Sequence, residues 1–302
     1  MTPAVQTIAL GKRYGRTWAL RDCSLTLPAG RVAALVGPNG AGKTTLLQLI
    51  TGLNDSTTGD VRIFGWSPRE QPTMVLLRLG FLAQERPLFN GFTVGEMLTM
   101  GRKLNPRWDD SLARTRLSRL DIPHNRKVGR LSGGQQAQVA LVMALAKRPE
   151  MLLLDEPVAA LDPLARREFL QALLEATVDD GLTVLLSSHI IGDLERVCDY
   201  LIILSASRVI LAGDIEHVVQ RHKLLVGPRQ ETEAIAHLHN VVQATYTERQ
   251  TTLMVRTNGH IWDPSWQVHA VSLEEIVLAY LGHPSTHEPT VFLEHSDEEV
   301  LA

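Results

Sequence analysis

The stretch Gly37-Pro38-Asn39-Gly40-Ala41-Gly42-Lys43-Thr44 decides the fold of this chain. The glycines Gly37 and Gly42 and the final Lys-Thr pair have the spacing of a phosphate-binding loop, the Walker A pattern. A glycine-rich turn that opens a helix directs several backbone N–H groups at one point, where the helix dipole also favours an anion. We therefore expect this loop to hold the phosphates of ATP or GTP, with Lys43 reaching the β and γ phosphates.

The segments on either side of the loop have the character that it requires. Val32–Val36 is a short apolar run typical of a buried strand, and the helix predicted after the loop has an apolar face formed by Leu46, Leu47, Leu49 and Ile50. Thr44 follows the lysine, so its hydroxyl is expected to bind the Mg²⁺ that bridges the phosphates. Thr45 starts the apolar face and is included in the predicted nucleotide-binding set.

A second motif, Met151–Glu156, is an apolar strand that ends in two adjacent acidic residues. At the carboxyl end of a parallel strand, Asp155 could hold Mg²⁺ through water, and Glu156 could polarise a water for in-line attack on the γ phosphate. A buried strand that ends in Asp-Glu before a proline turn is also a common structural feature. The motif alone leaves both interpretations open.

The pentapeptide Leu131-Ser132-Gly133-Gly134-Gln135 lies between the two motifs and begins a predicted helix. Ser132 is a good N-cap, the glycines expose backbone donors, and the helical pattern ends before Pro149. With a nucleotide motif on either side, the pentapeptide makes the chain resemble the nucleotide-binding subunits of ATP-binding cassette (ABC) transporters. The resemblance covers residues 1 to about 222. It implies that Ser132, Gly133, Gly134 and Gln135 contact the nucleotide bound to a second subunit.

The resemblance also implies roles for residues outside these motifs. Tyr14 is expected to stack on adenine, although packing at the edge of a β-hairpin remains an open alternative. Gln84 is expected to reach Mg²⁺ and the attacking water, and His189 to contact the γ phosphate. Asp162 is expected to signal across a dimer interface and also to cap a helix that starts at Pro163. The predicted catalytic residues are thus Glu156, His189 and Gln84, and the predicted metal ligands are Thr44, Gln84 and Asp155.

The sequence after the pentapeptide departs from many relatives, which continue Gln-Gln-Arg where this chain reads Gln135-Gln136-Ala137-Gln138. A basic residue expected near Gln138 is missing. We expect the loss of an ion pair there, without loss of activity.

Alternating strands and helices predict an α/β fold, a P-loop NTPase of the ABC cassette type with a mainly parallel sheet, an antiparallel β layer and a helical subdomain. The cassette is predicted at residues 1–222, with the helical subdomain at about 85–148. Residues 223–302 are predicted to form a small α+β appendage, tethered near Gly227-Pro228 and ending in a flexible tail. The expected strands are Arg31–Val36, Met151–Leu154, Thr183–Ser187 and Tyr200–Leu204, with antiparallel pieces at Val5–Leu10 and Val61–Ile63, and the appendage adds Thr251–Arg256 and a helix at Leu273–Leu281.

Composition limits the possible partners. With a formal net charge of −3 and no basic stripe, the chain of 302 residues is not expected to bind nucleic acid. Cys23 and Cys198 fit a reduced cytoplasmic compartment as buried thiols. No apolar run approaches the roughly eighteen residues that cross a bilayer. We therefore expect a peripheral protein on the cytoplasmic face of the cell membrane.

The resemblance implies docking on integral membrane subunits through a groove beside the Gln84 loop, lined by the helical segment. Four apolar residues there could pack in the core, which is the default, or against a partner helix: Trp108, Leu112, Leu117 and Leu120. A homodimer and a heterodimer with a paralogous ATPase subunit both remain open.

The predicted function is ATP-driven export of an unidentified substrate, because Val271–Ala279 looks like the C-terminal ending of export-type ATPase subunits. The main alternative is a soluble ABC-type ATPase without a transport role, and a third is a regulatory nucleotide-binding module. Nine of the eleven histidines lie beyond residue 200, including His237, His239 and His295. Their irregular spacing, with no cysteine nearby, favours a solvated surface over a metal site.

Overall fold

The computed structural model describes residues 2–85, 88–229, 235, 238–257, 259, 265–282 and 290–291. Its strands are β1 (Val5–Tyr14), β2 (Thr17–Leu27), β3 (Val32–Val36), β4 (Thr58–Ile63), β5 (Leu79–Leu82), β6 (Met151–Asp155), β7 (Thr183–Ser187), β8 (Tyr200–Ser205), β9 (Arg208–Asp214), β10 (His222–Pro228), β11 (Asn240–Tyr246), β12 (Gln250–Arg256), β13 (Gln267–His269) and β14 (Thr290–Val291). Its helices are α1 (Lys43–Thr51), α2 (Pro72–Leu76), α3 (Val94–Leu104), α4 (Asp110–Arg119), a 3₁₀ turn (Val128–Arg130), α5 (Gly133–Ala146), α6 (Pro163–Asp180), α7 (Ile191–Leu194), α8 (Ile215–Arg221) and α9 (Leu273–Gly282).

A seven-stranded sheet in the order β14-β9-β8-β3-β7-β6-β5 forms the centre of the fold. Its neighbours pair in parallel except for β8 and β9, which are antiparallel. Every residue of β3, β6 and β7 is buried, because helices or strands cover both faces of the sheet. The predicted mainly parallel α/β core is confirmed.

Alternate residues of β3 belong to different hydrophobic cores. Ala34 and Val36 pack with residues of α5, α6 and α9, whereas Ala33 and Leu35 pack with α1 and the antiparallel strands. This alternation follows from the two-residue period of a strand. The predicted apolar face of α1 is confirmed, since all four of its residues are buried: Leu46, Leu47, Leu49 and Ile50.

The antiparallel layer is a three-stranded sheet in the order β2-β1-β4. It covers the face of the main sheet that carries α1, which is why Leu10 and Leu20 share a core with Leu46. The prediction of this layer is confirmed, and its strands extend beyond the predicted pieces.

Helices α3, α4 and α5 surround a smaller hydrophobic core of their own. For four apolar residues the sequence left open whether they pack in the core or against a partner helix. Leu117 is fully buried in this core, and the other three are partly buried against it: Trp108, Leu112 and Leu120. Core packing, the default interpretation, therefore describes these side chains.

Strands β10 to β13 form a separate antiparallel sheet in the order β11-β12-β10-β13. Helix α9 packs against the main hydrophobic core through Ile276, Val277 and Tyr280. The N–H of Leu273, the first residue of α9, donates to Glu195 Oε1 at 3.1 Å. The C-terminal sheet and helix are thus joined to the cassette by packing and not only by the chain.

One prediction about the C-terminal region is wrong. Gly227-Pro228 is not a tether but the end of β10, where these residues pair with Thr251 and Gln250 of β12. Within the predicted flexible tail, Thr290–Val291 pairs in parallel with β9 at the edge of the main sheet. Both pairings are long-range, so local turn composition could not reveal them. Tail residues such as His295 lie outside the described residues.

The two cysteines are buried and free, as predicted. Burial raises the pKa of the Cys198 thiol to about 12 and also raises the pKa of Cys23. Both thiols are therefore protonated and inert near neutral pH.

Candidate functional site

Four loops at the carboxyl edge of the main sheet bring the predicted polar residues together. They follow the neighbouring strands β3, β7, β6 and β5 and carry Lys43, His189, Glu156 and Gln84 respectively. Ligands bind at this edge in open α/β sheets, because the loops there diverge and leave a crevice.

The phosphate-loop prediction agrees with the local backbone. Gly42 has φ +108 and Gly40 has φ +80, values that favour glycine. A Cβ on Gly42 would meet the carbonyl oxygen of Ala19, and one on Gly37 would meet the carbonyl oxygen of Leu204. The loop is therefore packed closely from both sides, and glycine is required at both positions.

Lys43 is almost fully buried at the start of α1. Its Nζ donates to the carbonyl oxygens of Gly37 at 2.8 Å and Pro38 at 3.3 Å, and lies 3.5 Å from Glu156 Oε1. A buried ammonium held by carbonyl groups and a carboxylate is well placed to exchange these contacts for a phosphate.

Glu156 lies between a cation and a histidine. Its Oε2 is 3.1 Å from His189 Nδ1, and its side chain is 12% exposed whereas that of His189 is 50% exposed. Its φ of +46 lies in the left-handed region, which is unusual for a residue with a side chain. Strained backbone of this kind is often found at functional sites.

These loops enclose a cavity of about 700 Å³. Most of the predicted phosphate-loop and catalytic residues line it, together with Ala19, which the sequence did not indicate: Gly37, Pro38, Asn39, Gly40, Gly42, Lys43, Thr44, Thr45, Gln84, Glu156 and His189. Ala41 and Asp155 are buried and do not line it. Ala19 enters the site from β2, a strand distant in sequence, so no local pattern pointed to it.

The oxygen donors at this cavity suit Mg²⁺, which prefers oxygen ligands. The Thr44 hydroxyl and the Gln84 amide line the cavity. Asp155 ends the strand before Glu156, and its Oδ1 accepts a hydrogen bond of 2.8 Å from Ser187 Oγ. The residues present therefore fit the metal that the sequence predicted.

Tyr14 lies outside the cavity lining, at the turn between β1 and β2. Its ring is 49% exposed and its hydroxyl accepts a hydrogen bond from Asn54 Nδ2 at 3.2 Å. Lys12 Nζ lies over the ring, 5.2 Å from its centroid. The position agrees with the hairpin-edge interpretation.

The Ser132 pentapeptide is not brought to this cavity within the chain. Ser132 caps α5 in a capping box, in which its Oγ accepts from the N–H of Gln135 and Gln135 Oε1 accepts from the N–H of Ser132. Ser132 and Gly133 are exposed, whereas a Cβ on Gly134 would meet Ala165 of α6. The helix start predicted here is confirmed, and none of its residues lines the chain's own cavity.

Asp162 caps α6, as predicted, with Pro163 at the first helical position. Its Oδ1 accepts hydrogen bonds from the N–H groups of Leu164 and Ala165 at 3.1 and 3.0 Å. Ala165, which the cap holds, is also the residue that lies against Gly134.

Gln138, the position where a basic residue was expected, is buried in α5. Neither its Nε2 nor its Oε1 has a hydrogen-bond partner among the described residues. The substitution thus leaves two uncompensated polar atoms, a destabilising feature of about 1–3 kcal/mol per group.

The described residues contain no group of three or more His, Cys, Asp or Glu side chains arranged to hold a metal ion. Of the C-terminal histidines, His237 and His295 lie outside the described residues. Among the helices that the structure describes, none has both the length and the apolar character needed to cross a membrane.

Comparison with known proteins places the chain in a family. A sequence profile of the ABC transporter family matches residues 20–159. The Nod factor export ATP-binding protein I of Rhizobium johnstonii is 34% identical over 215 residues, which cover 70% of this chain and 69% of that protein. The phosphonates import ATP-binding protein PhnC of Maricaulis maris is 32% identical over 252 residues, covering 76% and 95%.

Solved structures with a similar fold are also ATP-binding cassettes. A dimeric ATP-binding cassette in a post-hydrolysis state, bound to ADP and Pi, has a TM-score of 0.62 and 26% identity, covering 70% of this chain and 98% of that chain. The phosphate loop, the adjacent acidic residues and the Ser132 pentapeptide all lie within residues 20–159, which the family profile matches. The chain therefore belongs to the ABC transporter family and is an ATP-binding cassette ATPase.

Proposed function

We propose that this chain hydrolyses ATP to drive export of a substrate through separate membrane subunits. The observation that carries the proposal is the convergence of Lys43, Glu156, His189 and Gln84 on one cavity at the end of the phosphate loop. A module that only bound nucleotide would not need a carboxylate and a histidine in contact at that point.

The proposed mechanism follows from these contacts. Loop N–H groups and Lys43 bind the phosphates, and Lys43 leaves the carbonyl groups and Glu156 as it does so. Thr44, Gln84 and Asp155 would hold Mg²⁺, which neutralises phosphate charge when bound. Glu156, released from Lys43, accepts a proton from the attacking water, and His189 orients its carboxylate.

Each chain supplies half of a complete site in this proposal. The exposed N-terminus of α5, with Ser132 and Gly133, provides backbone donors and a positive helix end that suit a γ phosphate. A second copy, or a related ATPase subunit, would present this surface across the cavity. Asp162 lies beside it and could transmit the state of the interface. Dimeric cassettes among the structural neighbours support this arrangement.

The surface proposed for the membrane partner lies beside the Gln84 loop. Phe89 and Phe92 are both exposed there, with ring centroids 5.2 Å apart. Exposed aromatic side chains are costly in water and typical of contact sites. We propose that an integral membrane subunit covers them, which would place the chain on the cytoplasmic face of the membrane.

The direction of transport and the division into units are further parts of the proposal. Export is supported by the likeness to the Nod factor export protein, while PhnC is an import protein of comparable identity. We also propose that residues 1–222 form the catalytic cassette and residues 223–302 an accessory unit.

Affinity purification of a Glu156→Gln variant from detergent-solubilised membranes with ATP tests the proposal. The variant should bind ATP without hydrolysing it and so retain its partners. The control carries Lys43→Ala as well and should lose ATP-dependent partners. Recovery of a multi-helix membrane protein in the first sample alone is expected, whereas ATP-dependent recovery of soluble proteins only would refute the transport role.

A further inference from the structure

Ser187, the last residue of β7, connects the two acidic residues that end β6. It is fully buried, and the strand register sets it opposite Asp155. Its Oγ is 2.8 Å from the backbone nitrogen of Glu156 and 2.8 Å from Asp155 Oδ1. Sequence motifs did not point to this serine.

The direction of both hydrogen bonds is fixed by chemistry. A backbone N–H can only donate, so Ser187 Oγ accepts from Glu156. The single hydroxyl proton is then free to donate to Asp155 Oδ1, which lies 2.8 Å away. Asp155 therefore anchors the hydroxyl, and the hydroxyl holds the peptide N–H of Glu156.

This contact falls at a strained point of the backbone. Glu156 adopts a left-handed φ of +46, which a residue with a Cβ avoids unless its surroundings impose it. In that conformation its carboxylate reaches both Lys43 and His189, at 3.5 and 3.1 Å. A small rotation of the Glu156 peptide would move the carboxylate away from both.

We propose that Ser187 is a positioning residue for hydrolysis, which holds Glu156 in the conformation that aims its carboxylate into the cavity. The proposal rests on the role given above to Glu156. Ser187 does not line the cavity, so its effect is on the rate of hydrolysis and not on the affinity for ATP.

The test is Ser187→Ala, with steady-state phosphate release as the first measurement. We expect kcat to fall about tenfold or more with KM for ATP little changed, because small misplacements of a catalytic group are costly. Thr183→Ala is the matched control: it removes a buried hydroxyl from the same strand, where Thr183 Oγ1 accepts from the N–H of Gly30. An equal loss of kcat in both variants would overturn the proposal.

Combination with Glu156→Gln separates positioning from general destabilisation. If Ser187 acts through Glu156, Ser187→Ala should add no further loss of kcat in the Glu156→Gln background. Losses that multiply would overturn the proposal. If Glu156→Gln alone leaves hydrolysis intact, the proposed role of Glu156 fails first, so the two failures are distinguishable.

Two further variants keep the test decisive. Ser187→Thr retains the hydroxyl and should keep kcat within a few-fold of the parent when thermal unfolding shows a folded chain. Ser187→Cys is nearly isosteric with weaker hydrogen bonding and replaces Ser187→Ala if that variant fails to fold. A Cys variant with full kcat would also overturn the proposal.

Discussion

Two histidines in different regions of the molecule make similar contacts with opposite results. His189 lies half exposed at the nucleotide cavity, with its Nδ1 against Glu156. His222 is completely buried where β10 begins, with its Nδ1 2.6 Å from the carbonyl oxygen of Val218 and its Nε2 3.0 Å from the Tyr280 hydroxyl. A carbonyl group only accepts, so the Nδ1 of His222 carries the proton and its Nε2 accepts from Tyr280.

The comparison shows that access, and not residue type, distinguishes a functional polar cluster from a structural one. The Glu156–His189 pair opens on a cavity with Lys43, where contacts can be exchanged for a ligand. The His222–Tyr280 pair is sealed between α8 and α9, and burial lowers the pKa of His222 to about 4. The sealed pair links the start of β10 to α9.

The largest expected effect is a loss of phosphate release when the Glu156–His189 pair at the cavity is changed. Glu156→Gln should lower phosphate release by about a hundredfold or more, because it removes the general base. Binding of labelled ATP should persist, since Lys43 and the loop are unchanged. Glu175→Gln, on the exposed side of α6, is the control with the same chemical change. Normal turnover in the Glu156 variant would show that the Glu156–His189 pair, like the His222–Tyr280 pair, takes no part in hydrolysis.

The next effect tests whether the cavity is open because a second subunit completes it. A Cβ on Gly133 would meet no atom of the described residues within 4 Å, and Gly133 is exposed, so we expect Gly133→Glu to leave the fold undisturbed. Its charge at a helix N-terminus should even stabilise the chain by about 0.3–1 kcal/mol. We expect phosphate release to fall by about a hundredfold, because the glutamate would face the γ phosphate.

Labelled-ATP binding by the Gly133→Glu monomer should remain unchanged. Gly259→Glu places the same charge in the C-terminal region, where a Cβ meets no atom of the described residues within 4 Å, and should leave turnover intact. Full turnover by the Gly133 variant would show that this helix end takes no part in hydrolysis.

The buried His222–Tyr280 pair should make the free energy of unfolding depend on pH. The folded pKa of His222 is about 4, below the usual 6.5, so the unfolded chain takes up more protons as the pH falls through that window. The contribution of His222 is complete above pH 6.5 and is lost as the pH falls towards 4. Between pH 6.5 and pH 5 the free energy of unfolding should fall by about 2 kcal/mol from this group.

Denaturant unfolding of His222→Gln measures this term. The variant should be less stable at pH 7 but lose less stability between pH 6.5 and pH 5 than the parent. His269→Gln, on exposed β13, is the control and should keep the parental slope. An unchanged slope in the His222 variant would contradict a sealed, neutral imidazole.

The smallest effect concerns Asp162, where a structural role and a proposed functional role meet in one side chain. Asp162→Ala should cost about 1 kcal/mol of stability, because the N-cap of α6 is lost. Asp162→Asn retains the cap and should keep that stability, while phosphate release falls several-fold if the charge acts at the interface. Thermal unfolding and phosphate release separate the two, and equal turnover of Asp162→Asn and the parent would leave the cap as its only role.

The sequence predicted features that depend on nearby residues, but not features that depend on residues far apart in the chain. The phosphate loop, the buried strand before Asp155 and the caps at Ser132 and Asp162 depend on nearby residues, and the structure has each of them. The pairing of Gly227-Pro228 with β12 depends on residues more than twenty positions away, and there a turn-like dipeptide misled the prediction. For the same reason, the sequence did not predict that Ala19 lines the cavity.

The sequence by itself determined the chemistry, because periodicity, glycine spacing and capping residues act over a few positions and leave a visible pattern. It therefore established a nucleotide-binding α/β cassette with its loop, its acids and its helix start. Only the tertiary structure decided that Ser187 holds Glu156, that His189 is open while His222 is sealed, and that α9 packs into the main core. These relations depend on which strands become neighbours, and burial and strand register are properties of the whole chain.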